Sequence, residues 1–407
     1  MQLPERPNFH LTYCTNIHPG ESWEEIFAQL KAHVPELKNR LAPEQPFGIG
    51  LRLSAQAAVQ LQEADHLPAF KQWLAEKDLY VFTMNGFPYG SFHRQRVKDQ
   101  VYAPDWRSEE RVEYTVNLAR LLAELVPDGM DGGISTSPLS YKLWLDSPPL
   151  EEEVFRAASI NLARIALEMA RILEEHGKEL HLDIEPEPDC LLENTEETVR
   201  FFNDWLLPAG GTFLADEHGL SRAEAEEMLR NHIRVCYDTC HFAVEYEDPA
   251  EAIQRFREEG IRIGKVQLSA ALKVQLGASE EERATTASRL QAFEESTYLH
   301  QVIERRDDGS LHHYSDLSEA LPNINNKAAR EWRIHYHVPI FVDSFDSLHS
   351  TRDDIIRSLK QFRDNSDCRH FEIETYTWEV LPEELKADVT ESIEREYRWV
   401  LEQADQQ

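Results

Sequence analysis

Apolar and polar positions along this chain follow two alternating periods. Eight short runs rich in β-branched and aliphatic residues read as strands: Phe9–Cys14, Phe47–Leu53, Leu79–Met84, Gly133–Thr136, Glu179–Glu185, Ile233–Asp238, Ile261–Leu268 and His370–Thr375. Between them the apolar residues recur at helical spacing. Start and stop signals agree with this. Ser22 and Glu25 form a capping box for a helix to Leu41, and Asn194 with Glu197 and Ser221 with Glu224 open two more. Asp248-Pro249 starts a helix that stops at Gly260, and Gly177 closes one over Leu150–His176. Further helices are predicted over Ala57–Lys77, Ser108–Leu125 and Pro382–Gln403, with a sharp loop at Asn85-Gly-Phe-Pro-Tyr-Gly90. Strand and helix in alternation predict a parallel sheet with crossover helices. Eight such units predict an α/β fold, a (β/α)8 TIM barrel spanning 1–407 as a single domain.

One segment breaks the rhythm. Between the seventh strand and His335-Tyr-His337-Val-Pro339, the runs Tyr298–Arg305 and Leu311–Tyr314 flank Asp307-Asp-Gly-Ser310, where Asp-Gly supplies the positive φ angles of a tight turn. A helix-plus-hairpin insertion between strand 7 and strand 8 is expected over 270–330, on the catalytic face. Such an insertion is either a lid or partner surface, or an elaboration without a role.

Charge narrows the partners. In 407 residues, 42 Lys and Arg stand against 74 Asp and Glu, a formal net charge of -32, which repels phosphate backbones; no nucleic acid is expected. The rest of the acidic excess reads as solvated helix surface. Five cysteines, Cys14, Cys190, Cys236, Cys240 and Cys368, lack the paired spacing of a zinc site and predict buried thiols in a reducing, cytoplasmic setting. No apolar run approaches a membrane span and the first residues do not resemble a signal peptide, so no membrane insertion is expected.

The strand ends carry the candidate chemistry. Glu185, Asp238, Gln267 and Glu374 each stand at the carboxyl end of a predicted strand, where a TIM barrel places its active site. Oxygen donors of this kind suit a divalent metal such as Mn²⁺ or Mg²⁺, with Zn²⁺ as a further candidate. Glu185 and Glu374, on opposite sides of a metal-bound substrate, are candidate catalytic groups: one takes a proton from carbon and the other returns it. His241 follows Asp238 by three residues, and His335 and His337, two apart on an extended run, point the same way. These three are candidates for a second metal or for substrate. Asn85, Glu187 and Lys265 are candidate substrate contacts, although an exposed salt bridge explains Glu187 and Lys265 equally well.

At these residues the chain resembles the xylose-isomerase-like superfamily of TIM barrels, which includes sugar isomerases, ketose epimerases and endonuclease-IV-type enzymes. Asp238-Thr-Cys-His241 is similar to its Asp-Thr-x-His motif, and Glu185 and Glu374 to its strand-five and strand-eight glutamates. Three longer strings resemble EboE-type metabolite traffic proteins: Leu11-Thr-Tyr-Cys-Thr-Asn-Ile-His-Pro-Gly-Glu-Ser-Trp23, Met84-Asn-Gly-Phe-Pro-Tyr-Gly90 and Tyr102-Ala-Pro-Asp-Trp106. The resemblance implies a metal-dependent sugar isomerase/epimerase-like enzyme, acting on a small polyhydroxylated metabolite in company with other proteins of its pathway. A non-catalytic metabolite carrier on the same barrel is the alternative, and an apurinic endonuclease a remote one. Two departures bear on this. Gln267, a neutral donor, fills the slot where relatives carry histidine, and no histidine pair on strands two and three completes a trinuclear zinc cluster.

Overall fold

Eight parallel strands form the body of the molecule: β1 (Arg6–Tyr13), β2 (Phe47–Arg52), β3 (Leu79–Asn85), β4 (Gly132–Thr136), β5 (Leu180–Ile184), β6 (Ile233–Asp238), β7 (Ile263–Leu268) and β8 (His370–Ile373). They are hydrogen-bonded in the order β1-β8-β7-β6-β5-β4-β3-β2. The computed structural model describes residues 1–3, 6–63, 65–87, 98–294, 298–345, 348–365, 368–375, 377 and 388–405. The fold is therefore the expected TIM barrel, and it is nearly closed. At the remaining seam, β1 and β2 share a single backbone bridge, Cys14 with Gly50. Side chains add to it: the Thr12 hydroxyl donates to Gly48 O at 3.0 Å and accepts from Gly50 N at 2.8 Å, and the Thr15 hydroxyl accepts from Arg52 N at 3.0 Å.

Helix boundaries follow the capping chemistry. Ser22 and Glu25 close a reciprocal capping box ahead of Trp23–Leu41, and Ser221 and Glu224 do the same ahead of Arg222–His232. Asp248 accepts from Ala250 N and Glu251 N at the start of Pro249–Glu258, and Gly177, at φ 67, ends Pro148–His176. The helix expected over Ala57–Lys77 is instead two, Ala55–Leu61 and His66–Glu76. Pro68 explains the break: it has no N–H to give and tolerates only the first turn of a helix. Of the expected C-terminal helix, Val389–Asp405 is described, and 382–387 and 406–407 lie outside the described residues, as do Pro88–Gly90 of the predicted loop.

The segment after β7 is larger than a helix plus hairpin over 270–330. It builds a second, six-stranded sheet whose strands pair antiparallel, with the long strand Ala329–Val338 near its centre. That strand pairs on one side with Val302–Arg306, the first arm of the Asp-Gly hairpin, and on the other with Ala270–Gln275. Leu348–Ser350 adds a further strand, so the sheet continues well past residue 330. Ala270–Gln275 was hidden because it follows β7 after one residue, Ser269, and reads as a continuation of it.

Period-two alternation sorts the barrel strands into two faces. Leu182, Ile184, Tyr237, Val266, Phe371 and Ile373 belong to the buried apolar core. The alternate positions are polar: His181 and Asp183 in β5 with Glu185 just past it, and His370 and Glu372 in β8 with Glu374 just past it, all six buried. Barrel interiors are ordinarily filled by branched aliphatic side chains. This one is filled by ionisable groups, which need room. A Cβ at Gly50 would overlap the Glu372 carboxylate, and one at Gly264 would overlap Asp183. Gly50→Ala is accordingly expected to cost about 3 kcal/mol of stability through overpacking, measured as a lower urea midpoint with an unchanged slope.

Candidate metal centre at the carboxyl ends of the strands

Three carboxylates meet at the mouth of the barrel. Asp238 is the last residue of β6, and Glu185 and Glu374 are the first residues beyond β5 and β8. Each offers an oxygen that lies within 4.8 Å of the others, and all three are buried. Backbone hydrogen bonds fix two of the strand ends, Glu185 N to Thr136 O at 3.0 Å and Glu374 N to Leu268 O at 3.0 Å.

Their environments differ. Asp238 Oδ1 accepts from Cys240 N at 2.7 Å, His241 N at 3.1 Å and the Ser269 hydroxyl at 2.5 Å. Burial works against its charge, but His241, His337 and these hydrogen bonds hold its carboxyl below the usual range. Burial raises Glu185 to about 8, with Asp238 adding to the shift. Burial likewise pushes Glu374 well up, reinforced by Glu185 and Asp238. Without a cation, Asp238 is the resident anion and the two glutamates keep their protons. The second oxygens of Glu185 and Asp238 are buried and meet no hydrogen-bond partner among the described residues. Such orphaned acceptors fit a divalent ion.

Gln267 completes the ring from β7. Its amide nitrogen donates to Asn85 Oδ1 at 3.1 Å, and its oxygen, buried, has no hydrogen-bond partner among the described residues. Asn85 and Lys265 lie one layer deeper. Lys265 Nζ donates to Asn85 Oδ1 at 3.0 Å and is ion-paired with Glu372, and Asn85 Nδ2 donates to both Glu372 oxygens at 3.2 and 3.1 Å. The salt bridge of Lys265 is thus fully buried and not an exposed one. Burial alone would lower its ammonium, but Glu372 holds it above the ordinary range.

Three histidines face this ring from the other side. His241 Nδ1 donates to Pro186 O at 2.9 Å, His337 Nδ1 to Glu374 O at 2.7 Å, and His335 Nδ1 to Gln301 Oε1 at 2.8 Å. Each thereby turns Nε2 toward the site, as metal-binding histidines do. His335 and His337 come from Ala329–Val338 of the second sheet and not from a barrel strand. The Nε2 atoms of His241 and His335 stand 3.1 Å apart. Two lone pairs cannot face each other at that distance, so a proton or a cation is shared between them. Although burial opposes it, Asp238, Glu187 and Glu185 raise His241, whereas burial and His241 hold His335 well below its ordinary value; the proton belongs to His241. Glu187 sits at the edge, accepting from Tyr102 Oη at 2.7 Å.

All ten candidate residues therefore lie in or beneath one site. Its other contributors went unnoticed in the sequence: Glu372, Ser269, Gln301, Tyr102 and Asn16, whose amide donates to Glu374 at 3.5 Å. Glu372 had a signal, since it alternates with Glu374 in Phe371-Glu-Ile-Glu and must share its face.

No protein-family model matches this chain, and no curated protein matches it by sequence. Solved structures do match. A xylose-isomerase-like TIM-barrel protein from Mycobacterium smegmatis, in complex with magnesium, aligns with a TM-score of 0.51 at 9% identity, covering 97% of this chain and 96% of that one. The fold is that of the xylose-isomerase-like barrels. A D-tagatose 3-epimerase-like protein aligns at TM-score 0.48 and 12% identity over 97% and 96% of the two chains. The probable 3-DHS dehydratase AsbF from Bacillus anthracis aligns at 0.45 and 14% over 96% and 98%.

Two outcomes follow. Lys265→Met strands the Glu372 carboxylate and is expected to cost about 3–5 kcal/mol, with Lys265→Met/Glu372→Gln recovering much of it in urea denaturation. Glu185 at about 8, Glu396 at about 8 and Glu247 at about 7, each raised by burial from an ordinary 4.5, keep protons that the unfolded chain has released. The neutral buried histidines His10 and His337 oppose this only below their ordinary 6.5. Above it, the metal-free protein should lose stability as pH rises toward about 8, seen as a falling melting temperature in chelator.

Proposed function

We propose that this barrel is a divalent-metal-dependent enzyme of the isomerase or epimerase type, acting on a small polyhydroxylated metabolite. The observation that carries the reading is the buried triad of Glu185, Asp238 and Glu374, whose charges cannot coexist without a cation. Glu185, Asp238, Gln267 and Glu374 would hold the ion, with Mn²⁺, Mg²⁺ or Zn²⁺ as candidates. When bound, it would polarise a carbonyl or hydroxyl of the substrate. His241 and His337, which share a second cluster with Asp238, orient a substrate hydroxyl or hold a second ion. Glu185 and Glu374 would exchange protons with the substrate from two sides. Phe87, Tyr102, Tyr298 and Leu299 line the cavity above them.

The likeness of the three strings to EboE-type metabolite traffic proteins supports a metabolite that is processed or exported. Those strings contribute Asn16, Asn85 and Tyr102 to the site. The magnesium in the Mycobacterium smegmatis protein is consistent with the metal proposed here. A carrier role without turnover is favoured by Gln267, a neutral donor whose amide nitrogen is already committed to Asn85.

Glu374→Gln is expected to weaken Mn²⁺ uptake by more than about tenfold and to abolish turnover; titration calorimetry showing unchanged uptake would sink the site. Incubating the metal-loaded protein with polar metabolite extract and following it by NMR separates the two readings. New product signals mark an enzyme, and stoichiometric line broadening without product marks a carrier.

A further inference from the structure

At the opposite, amino-terminal end of the barrel, three side chains converge that take no part in the chemistry above. Asp131 precedes β4, His181 lies at the start of β5, and His370 opens β8. His370 Nε2 is 3.3 Å from one Asp131 oxygen, and His181 Nε2 is 3.5 Å from the other. One ligand atom from each lies within 4.8 Å of the others. Both rings are 0% exposed, while Asp131 is 19% exposed.

The hydrogen bonding leaves this cluster incomplete. His181 Nδ1 donates to Asp183 Oδ1 at 2.7 Å, which leaves Nε2 as the ring atom that faces Asp131. That nitrogen has no well-formed hydrogen bond among the described residues, and neither has either ring nitrogen of His370. Buried polar atoms in such a state carry a desolvation cost; Arg234, 3.6 Å from Asp131 Oδ2, meets the carboxylate from one side, and the ring nitrogens of His370 and Nε2 of His181 are the donors left for an ion.

We propose that Asp131, His181 and His370 bind a divalent transition-metal ion of the zinc class. Two imidazoles and one carboxylate are a donor set that zinc accepts, with a position left for water. Asp183 is then the outer carboxylate that orients His181, and Gly264 and Gly133 lack the Cβ atoms that would overlap this pair. Asp131 also lines an open cleft of about 1090 Å³, so the site is reached from solvent. The ion would tie β4, β5 and β8 together across the barrel floor. Its role is structural, and it is separate from the metal at the carboxyl ends.

Crystals of the full chain equilibrated with Zn²⁺ and measured on both sides of the zinc absorption edge test this directly. An anomalous peak is expected about 2.1 Å from His181 Nε2 and His370 Nε2. No peak there overturns the site and leaves a protonated His181 between Asp131 and Asp183 as the explanation, whatever is found at the other end. In solution, chelator-stripped Asp131→Ala, with its fold checked by circular dichroism, should take up one equivalent of zinc less than the unaltered chain, while Glu374→Gln retains that equivalent. Equal uptake by Asp131→Ala and the unaltered chain counts against the proposal.

Discussion

The buried ion pair between Lys265 and Glu372 lets this barrel keep a polar interior. Glu372 stands on the inward face of β8 between His370 below and Glu374 above, and no solvent reaches it. A lone carboxylate there would cost several kcal/mol, and Lys265 from the neighbouring strand cancels it. Asn85 then binds both partners, and its carbonyl oxygen also accepts from Ser135 Oγ at 2.9 Å and from Gln267. The orientation of Gln267 follows from this. Because its nitrogen is held from below, its oxygen is the atom left for the mouth of the barrel.

The layer above has the opposite charge problem. Three carboxylates are brought together with no lysine among them, and the neutralising groups must come from elsewhere. His241 supplies part of the answer, since the carboxylates around it raise its imidazole, and the second sheet delivers the neutral donors His335 and His337 over the mouth, where His337 is anchored to the backbone of Glu374. The end of strand β8 and the second sheet are thus joined at Glu374. A rearrangement of one is felt by the other.

Much of this was readable in the chain. The eight strands and most helix caps have local signatures, and Glu185, Asp238 and Glu374 declare themselves because a strand's end is visible as the end of an apolar run. What escaped was what depends on pairing at a distance. Ala270–Gln275 gains its identity from Ala329–Val338, and nothing local marks that partnership. Asp131, His181 and His370 come from three separate segments, and each alone looks like an ordinary polar residue near a turn. Lys265 was open between a substrate contact and an exposed salt bridge because its carboxylate partner lies more than a hundred residues away. Alternation along Phe371-Glu-Ile-Glu held the missing information.

The seam between β1 and β2 sets the order in which the molecule can be built. β1 forms a full ladder with β8, over His10 to Tyr13 against His370 to Ile373, but touches β2 through one backbone bridge and the Thr12 hydroxyl. During synthesis the ladder of β1 with β8 therefore forms only after the last strand has emerged, although Gln2–Leu3 pairs antiparallel with the other edge of β1. Pairing across nearly the whole chain is slow, because the closure entropy comes before the contacts that reward it. Until then the edge of β1 that β8 will cover is unmatched, the kind of edge that other chains can join.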